Sequence, residues 1–347
     1  MTLEFIPSRV FYEPGALDYP LGKTLVESFR QMGMPVIPTT SHNRITGITG
    51  ETAEIAYREA KRTLVIGVRR SKEFQTCKPS AHYQLPLVTS CPGMCEYCYL
   101  ATTLGRKPYV RIYVNLDEIL GIASNLIQDR LPEITQFEGA ATSDPIPVEH
   151  YTGALKQVVE FFGREANGRI RFVTKYTDVE SLLGAKHEGH TRFRFSLNCA
   201  EVVKKYEHGT PSPEKRIIAA GKVLKAEYPL GFIIAPIFRF EGWQEAYRQL
   251  MERSAEELAK RAPSGWSSEQ LTLEFISHRF TAKAKATILE VFPNSSLPME
   301  EDERKFKYGQ FGYGKYVYQP DEMKEMKEFF KEQAQTYFPL AQVEYFI

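Results

Sequence analysis

Net charge is almost absent from this chain: 44 lysines and arginines meet 43 aspartates and glutamates, which leaves +1. A protein that coats DNA over its whole surface is ordinarily far more basic, so any nucleic-acid site must be a local patch. Three candidates are Lys61-Arg62; Arg69 and Arg70 with Lys72; and Arg304, Lys305 and Lys307 with Lys315. Each run taken alone reads as a solvated face. Long apolar stretches are missing too, and none reaches the roughly 18–20 residues of a membrane span. The start, Met1-Thr2-Leu3-Glu4-Phe5, lacks the charged-then-apolar build of a signal peptide. A cytoplasmic protein with no membrane partner is therefore expected. Cysteine is scarce as well: five in 347 residues cannot make a disulfide framework, and an odd count fits a reducing compartment. Sequence repeats and low-complexity tracts are absent.

What cysteine there is lies concentrated. Three of the five fall within eight residues, Cys91-Pro92-Gly93-Met94-Cys95-Glu96-Tyr97-Cys98. Thiolates spaced C-x3-C-x2-C can hold three irons of a [4Fe–4S] cube, leaving the fourth open to a substrate or cofactor. Clusters that only carry electrons usually have four cysteines, so a missing ligand argues for chemistry at the cluster. Structural zinc is one alternative, but it wants four ligands and no second pair stands at matching spacing. Three buried thiols are the other, and chance clustering of so few cysteines disfavours it.

Around this loop the chain reads as α/β. Residues 1–83 form a small α/β extension, with a helix over 21–32 and a buried strand over 63–68. From about residue 84 strands and helices alternate. Strands are expected at 85–89, 134–142, 169–176, 192–198, 231–238 and 271–278. Helices are expected at 116–129 with Asn115 as N-cap, at 151–162, at 213–227 with Pro213 at its first position, and at 242–261. Such alternation implies parallel pairing with right-handed crossovers, here a partial (β/α)6 TIM-like barrel over 84–295. Chemistry in such folds gathers at the C-terminal strand ends. The cysteine loop, Ala141-Thr142-Ser143-Asp144, Lys175, Ser196 and Ala235-Pro236 all stand there. Residues 296–347 read as an aromatic, glycine-rich hairpin over 306–318, a charged helix and a closing strand.

The cysteine loop resembles the signature of the radical S-adenosylmethionine (radical SAM) superfamily. Within it, similarity to the spore photoproduct lyase family runs nearly end to end. It is carried by Tyr19-Pro20-Leu21-Gly22, Thr40-Ser41-His42-Asn43, Lys78-Pro79-Ser80-Ala81, Lys107-Pro108-Tyr109, Arg171-Phe172-Val173-Thr174-Lys175, Thr191-Arg192-Phe193-Arg194-Phe195-Ser196, His278-Arg279-Phe280-Thr281 and Gly314-Lys315-Tyr316. The resemblance implies the radical SAM barrel, a [4Fe–4S] cluster on Cys91, Cys95 and Cys98, and S-adenosylmethionine as cofactor. Ser143, Lys175, Ser196 and Ala235 are then expected at that cofactor. The implied reaction begins when a 5′-deoxyadenosyl radical takes hydrogen from C6 of the spore photoproduct, 5-thyminyl-5,6-dihydrothymine. The bond joining the thymines then breaks. The implied partners are UV-damaged DNA carrying that lesion and an electron donor such as flavodoxin or ferredoxin. A monomer is expected, in the spore core. The lesion is expected to leave the base stack to reach the barrel mouth.

Two departures from the family pattern matter. The family usually shows Cys-Thr-Ser-Asp where this chain has Ala141-Thr142-Ser143-Asp144, and that cysteine quenches the product radical with a hydrogen atom. Cys77, where relatives commonly carry Ser, is the expected replacement; Cys199 is expected to be structural. Tyr97 and Tyr99, by resemblance, relay hydrogen back toward deoxyadenosine. The second departure is Gly309-Gln310-Phe311-Gly312 in place of Gly-Arg-Tyr-Gly in the hairpin that wedges against the lesion. Gln310, Phe311 and Lys315 are the expected lesion contacts. Phe311 can stack on a base, whereas Gln310 lacks a charge for phosphate. These departures leave open a radical SAM enzyme with another substrate. A non-catalytic iron–sulfur electron carrier is a more distant alternative.

Overall fold

The computed structural model describes residues 4–78, 80–105, 107–308, 312 and 314–347. The chain divides into two compact units: residues 1–93 with 103–192, and residues 94–102 with 193–347.

The first unit contains a five-stranded sheet in the order Val36–Pro38, Arg9–Tyr12, Thr63–Gly67, Val110–Tyr113, Val88–Thr89. The first four strands run parallel, with Val10 opposite both Val36 and Leu64, and Ile66 opposite Ile112. Thr63–Gly67 is buried at every position, the burial that a central parallel strand requires and its apolar run foretells. Helix Pro20–Gln31 lies where its periodicity placed it. Helix Ala53–Lys61, capped by the Thr52 side chain, was not visible in the sequence pattern.

A second group of strands in this unit bears the chemistry. Thr76–Cys77 pairs antiparallel with Ala81–Gln84, which runs parallel to Thr135–Glu138, which in turn runs parallel to Gly168–Thr174. The strand expected at 85–89 is therefore displaced. The ladder ends at Gln84, and only Val88–Thr89 resumes pairing, antiparallel to Val110–Tyr113 in the other sheet. Pro86, which has no N–H to give, stands in the interruption. The helix expected at 151–162 is likewise two helices, Ile146–Thr152 and Ala154–Arg164, parted at Gly153 with φ 55°. A left-handed glycine closes the first helix. The Glu149 carboxylate then accepts the amides of Leu155 at 2.7 Å and Lys156 at 3.0 Å at the start of the second. Helix Leu116–Gln128 begins at Asn115 as expected. The Asn115 amide, however, bonds Arg69 O and Glu118 Oε2 instead of capping.

The second unit holds strands Leu230–Ile237, Leu271–Ser277 and Gln342–Phe346 in parallel order, together with the part of strand Thr191–Leu197 from Phe193 onward. Its core is aromatic: Phe195, Phe232 and Phe275 are buried on the strands, and Tyr247 and Phe330 on the covering helices Trp243–Arg261 and Pro320–Tyr337. The buried pair Arg194–Glu274 ties two strands at 2.9 Å, and Tyr345 adds a hydroxyl to the same carboxylate. Lys305–Tyr308 and Gly314–Val317 form the expected hairpin.

Candidate active site

The cysteine loop is entered through Ser90, fully buried and left-handed (φ 68°), a conformation that side-chain-bearing residues seldom adopt. Two bonds hold it there. Ser90 N donates to Thr142 O at 2.8 Å, and Ser90 Oγ to Pro108 O at 2.6 Å. Ser90 also bridges Ser143 in parallel β fashion, so the loop's entry is fastened to the Ala141–Asp144 segment. The next residue, Cys91, gives its carbonyl to Lys61 Nζ at 2.8 Å, and that ammonium lies 5.3 Å from the Tyr57 ring centroid. Gly93 N points at Cys91 Sγ, 3.3 Å away. An amide aimed at a ligating sulfur stabilises its negative charge and tunes a cluster's potential.

Asp144 ties the Ala141–Asp144 segment to the end of strand Gly168–Thr174. Its buried carboxylate accepts Thr174 Oγ1 at 2.9 Å, Lys175 N at 2.9 Å and Ile146 N at 3.2 Å. Burial, opposed by those bonds, pushes its pKa from 3.8 up to about 6. Lys175 is thereby set at the end of its strand. Neighbouring Ser143 has a buried hydroxyl with no hydrogen-bond partner. It lines a cavity of about 260 Å³ with Ala141, Thr142, Gln84, Thr89 and Tyr113. Cys77 is half-buried on the strand beside Ala81–Gln84. Its hairpin is tied to the Ala141 turn through one carboxylate: Ser80 Oγ donates to Glu138 Oε2 at 3.1 Å, and Ala140 N donates to Glu138 Oε1 at 3.3 Å.

In the second unit Cys95 is buried on Met94–Cys95, paired antiparallel with Glu207–His208. Cys98 N donates to Cys95 O at 3.1 Å. Tyr97 donates its hydroxyl to Glu207. Glu207 also meets Arg216 at 2.6 Å, a pair with no solvent exposure on either side chain. Burial, and then the Glu207 charge, push the Tyr97 pKa well above 10. Glu96 accepts from His208 Nε2 at 2.7 Å and from Ser295 Oγ. Tyr99 is exposed, at 57%. Ser196 is buried, and its carbonyl accepts Arg216 Nη1 at 3.1 Å. Ala235 is half-buried near the end of its strand. Cys199 is buried, with its thiol pKa pushed to about 12 by burial, which suits a structural role.

Lys315 stands on the hairpin opposite Lys307, and burial with the charges of Arg279 and Lys307 lowers its pKa. Gln310 and Phe311 lie outside the described residues. Arg304 is not the surface cation expected. It is buried, bonded to the carbonyls of His278 and Pro298, with its guanidinium 3.6 Å from the Tyr318 ring centroid. Lys61 also leaves the open patches, as described, whereas Arg70 stays exposed while it pairs with the buried Glu13 carboxylate at 3.0 Å. Sequence reasoning missed Lys61, Glu138, Glu207 and Arg216 as supports of the site. They are scattered along the chain and follow no motif.

All five cysteines stand outside disulfides. Among the described residues no three His, Cys, Asp or Glu side chains form a ready-made metal cage. The chemistry of the residues nonetheless suits a cluster with an open corner: three thiols within eight residues of sequence and, in the first unit, an amide directed at the Cys91 sulfur and the unsatisfied buried hydroxyl of Ser143.

These features define a radical SAM enzyme. The family model for spore photoproduct lyase matches residues 5–347. Curated spore photoproduct lyases are 50% identical in Clostridium acetobutylicum, over 98% of both chains, and 47% identical in Bacillus subtilis, over 100% of both. A solved spore photoproduct lyase complexed with dinucleoside spore photoproduct superposes with TM-score 0.94 at 50% identity, covering 99% of each chain. A second solved lyase, with bound AdoMet and the dinucleoside lesion, also reaches TM-score 0.94 at 50% identity over 99% of each chain. The chain belongs to the spore photoproduct lyase family and has its radical SAM α/β fold.

Proposed function

We propose that this chain is a DNA-repair lyase that returns the spore photoproduct to two thymines. The reading is carried by near-complete coverage at about 50% identity to lyases solved with the dinucleoside lesion. The unpartnered Ser143 hydroxyl on the cavity beside Ala141 supports it. When bound, the [4Fe–4S] cluster and S-adenosylmethionine supply a 5′-deoxyadenosyl radical. The chain's own part is to bind, orient and quench. Cys91, Cys95 and Cys98 would hold the cluster, and Ser143, Lys175, Ser196 and Ala235 would border the cofactor.

With Ala141 unable to donate, Cys77 Sγ would give its hydrogen to the thymine radical and be left as a thiyl radical. Tyr99 and Tyr97 would return hydrogen to it, made good in turn by a hydrogen from 5′-deoxyadenosine, so that the radical passes back to the cofactor. A solved family member carries a cysteine-to-alanine and a serine-to-cysteine replacement together. These are the two kinds of change that set Ala141 and Cys77 apart from the family pattern. Residues 84–295 would hold the cluster and cofactor, with 1–83 as an extension that supplies Cys77. Residues 296–347 would press Phe311 against the lesion, with Gln310 and Lys315 beside it. UV-damaged DNA is the proposed substrate, flavodoxin or ferredoxin the electron donor, and a monomer in the spore core the working form. No helix of the described residues is long and apolar enough to cross a membrane.

The test is anaerobic cluster reconstitution followed by incubation with S-adenosylmethionine, dithionite and the dinucleoside lesion. Thymidine is the expected product. Deoxyadenosine formed without lesion loss would point to another radical substrate, and formation of neither to an electron carrier.

A further inference from the structure

A second cleft of about 350 Å³ lies in the first unit, against the cavity that holds Ala141 and Ser143, and shares Thr89 and Leu104 with it. Two separated segments send cations to its wall: Arg44 from one, Lys107 and Arg111 from the other. No aspartate or glutamate lines it. Among the described residues none of the three pairs with a carboxylate. Lys107 Nζ donates to the Ile48 carbonyl. Arg111 donates to Asn43 Oδ1 at 3.0 Å and to the hydroxyls of Tyr113 and Tyr109, with its guanidinium 5.3 Å from the Tyr109 ring centroid. Every bond that orients Arg111 therefore comes from a neutral group, which fixes the fork and leaves its charge uncancelled. Gathering like charges without a counter-charge is unfavourable in an empty fold and becomes favourable only when an anion arrives.

The cleft is also joined to the cluster loop. Pro108, on its wall, accepts the Ser90 hydroxyl one residue ahead of Cys91. An anion seated here would thus lie next to the cavity lined by Ala141 and Ser143. We propose that this cleft binds the phosphodiester of the damaged strand next to the lesion, with Arg111 as the oriented fork and Arg44 and Lys107 as further charges on its wall. It rests on the repair reading above and adds to it a contact that a dinucleoside lesion cannot make. Backbone contacts position a duplex without reading its sequence, as a lesion-directed enzyme requires.

The experiment compares two ligands of the reconstituted protein, the dinucleoside lesion and an oligonucleotide carrying the same lesion, across a salt series. In the parent the oligonucleotide is expected to bind more tightly, and its advantage to fall with salt. Arg44→Gln/Lys107→Gln changes two exposed side chains and spares the fold; Arg111→Gln is the second variant, with the thermal midpoint as its folding control. Each lost contact should lower the slope of log affinity against log salt by about 1, and weaken oligonucleotide binding roughly three- to tenfold. The preference for oligonucleotide over dinucleoside should narrow accordingly. A parent that converts the dinucleoside lesion, with variants that keep the parent's salt slope, overturns the cleft assignment alone. A parent that leaves the dinucleoside lesion untouched overturns the repair reading and this inference with it.

Discussion

At the scale of single residues, the chain's main peculiarity is a pair of exchanges, Ala141 and Cys77. Ala141 lines the cavity beside Ser143, and Cys77 stands half-buried on a hairpin tied through Glu138 to the turn that bears Ala141. Cys77→Ala is expected to lower thymidine formation at least tenfold while deoxyadenosine still forms, and Cys77→Ala/Ala141→Cys should restore it. Product analysis by mass spectrometry checks both. An unaltered yield from the single variant removes the donor role. Ser143→Ala should weaken S-adenosylmethionine binding by about 1 kcal/mol, the net worth of one hydrogen bond, without moving the thermal midpoint, because that hydroxyl bonds nothing in the protein. Equilibrium dialysis with the reconstituted protein reads it. At this scale the sequence was legible wherever a residue type carries its own chemistry, as thiols do. It was opaque at Glu207 and Lys61, ordinary charged residues until folding buries them beside the loop.

At the scale of elements, the cysteine loop is a poor independent structure, its two-residue strand and four-residue helix both too short to stand alone. Within the second unit its order comes from the strand pairing of Cys95 with Glu207 and from the Tyr97–Glu207–Arg216 chain. Arg216→Met would leave the Glu207 carboxylate buried without its counter-charge. A loss of about 3–5 kcal/mol is expected for breaking one side of such a pair. Urea denaturation of the unreconstituted protein measures this, and a midpoint within error of the parent would show that the pair does not hold the loop. The same scale explains the misplaced strand. Apolar character over 85–89 marks burial correctly, since Leu85, Leu87 and Val88 are all buried, but burial does not reveal which sheet a strand joins.

For the whole molecule, two buried carboxyls set an expected pH response. Burial raises Asp144 to about 6 and Glu149 to about 7, against ordinary values of 3.8 and 4.5. An acid whose folded-state pKa is raised favours the folded state fully when protonated. That contribution fades as pH climbs through the folded value, here from about 4 to about 7, by up to about 3 kcal/mol for each group. Glu149→Gln should therefore stabilise relative to the parent as pH rises from 5 to 8, whatever its constant offset from a lost acceptor. Thermal midpoints at the two pH values decide it, and an equal difference at both would refute the assignment. Charge at this scale also behaves unlike charge in the sequence. The adjacent pairs Lys61-Arg62 and Arg69-Arg70 each contribute a cation to internal bonding, whereas the cleft of about 350 Å³ brings Arg44 from one segment beside Lys107 and Arg111 from another.

By itself the sequence determined the alternation of strands and helices, the three-thiol loop and, by resemblance, the family. These follow from local spacing and residue chemistry, which survive in one dimension. Only the tertiary structure decided that Gly153 parts a helix, that Arg304 is sealed against Tyr318, and that Ser143 keeps an unsatisfied hydroxyl on a cavity wall. It also decided that a cationic cleft adjoins that cavity. Burial, partner and field depend on what the folded chain brings near a residue, and its neighbours along the sequence carry no record of that.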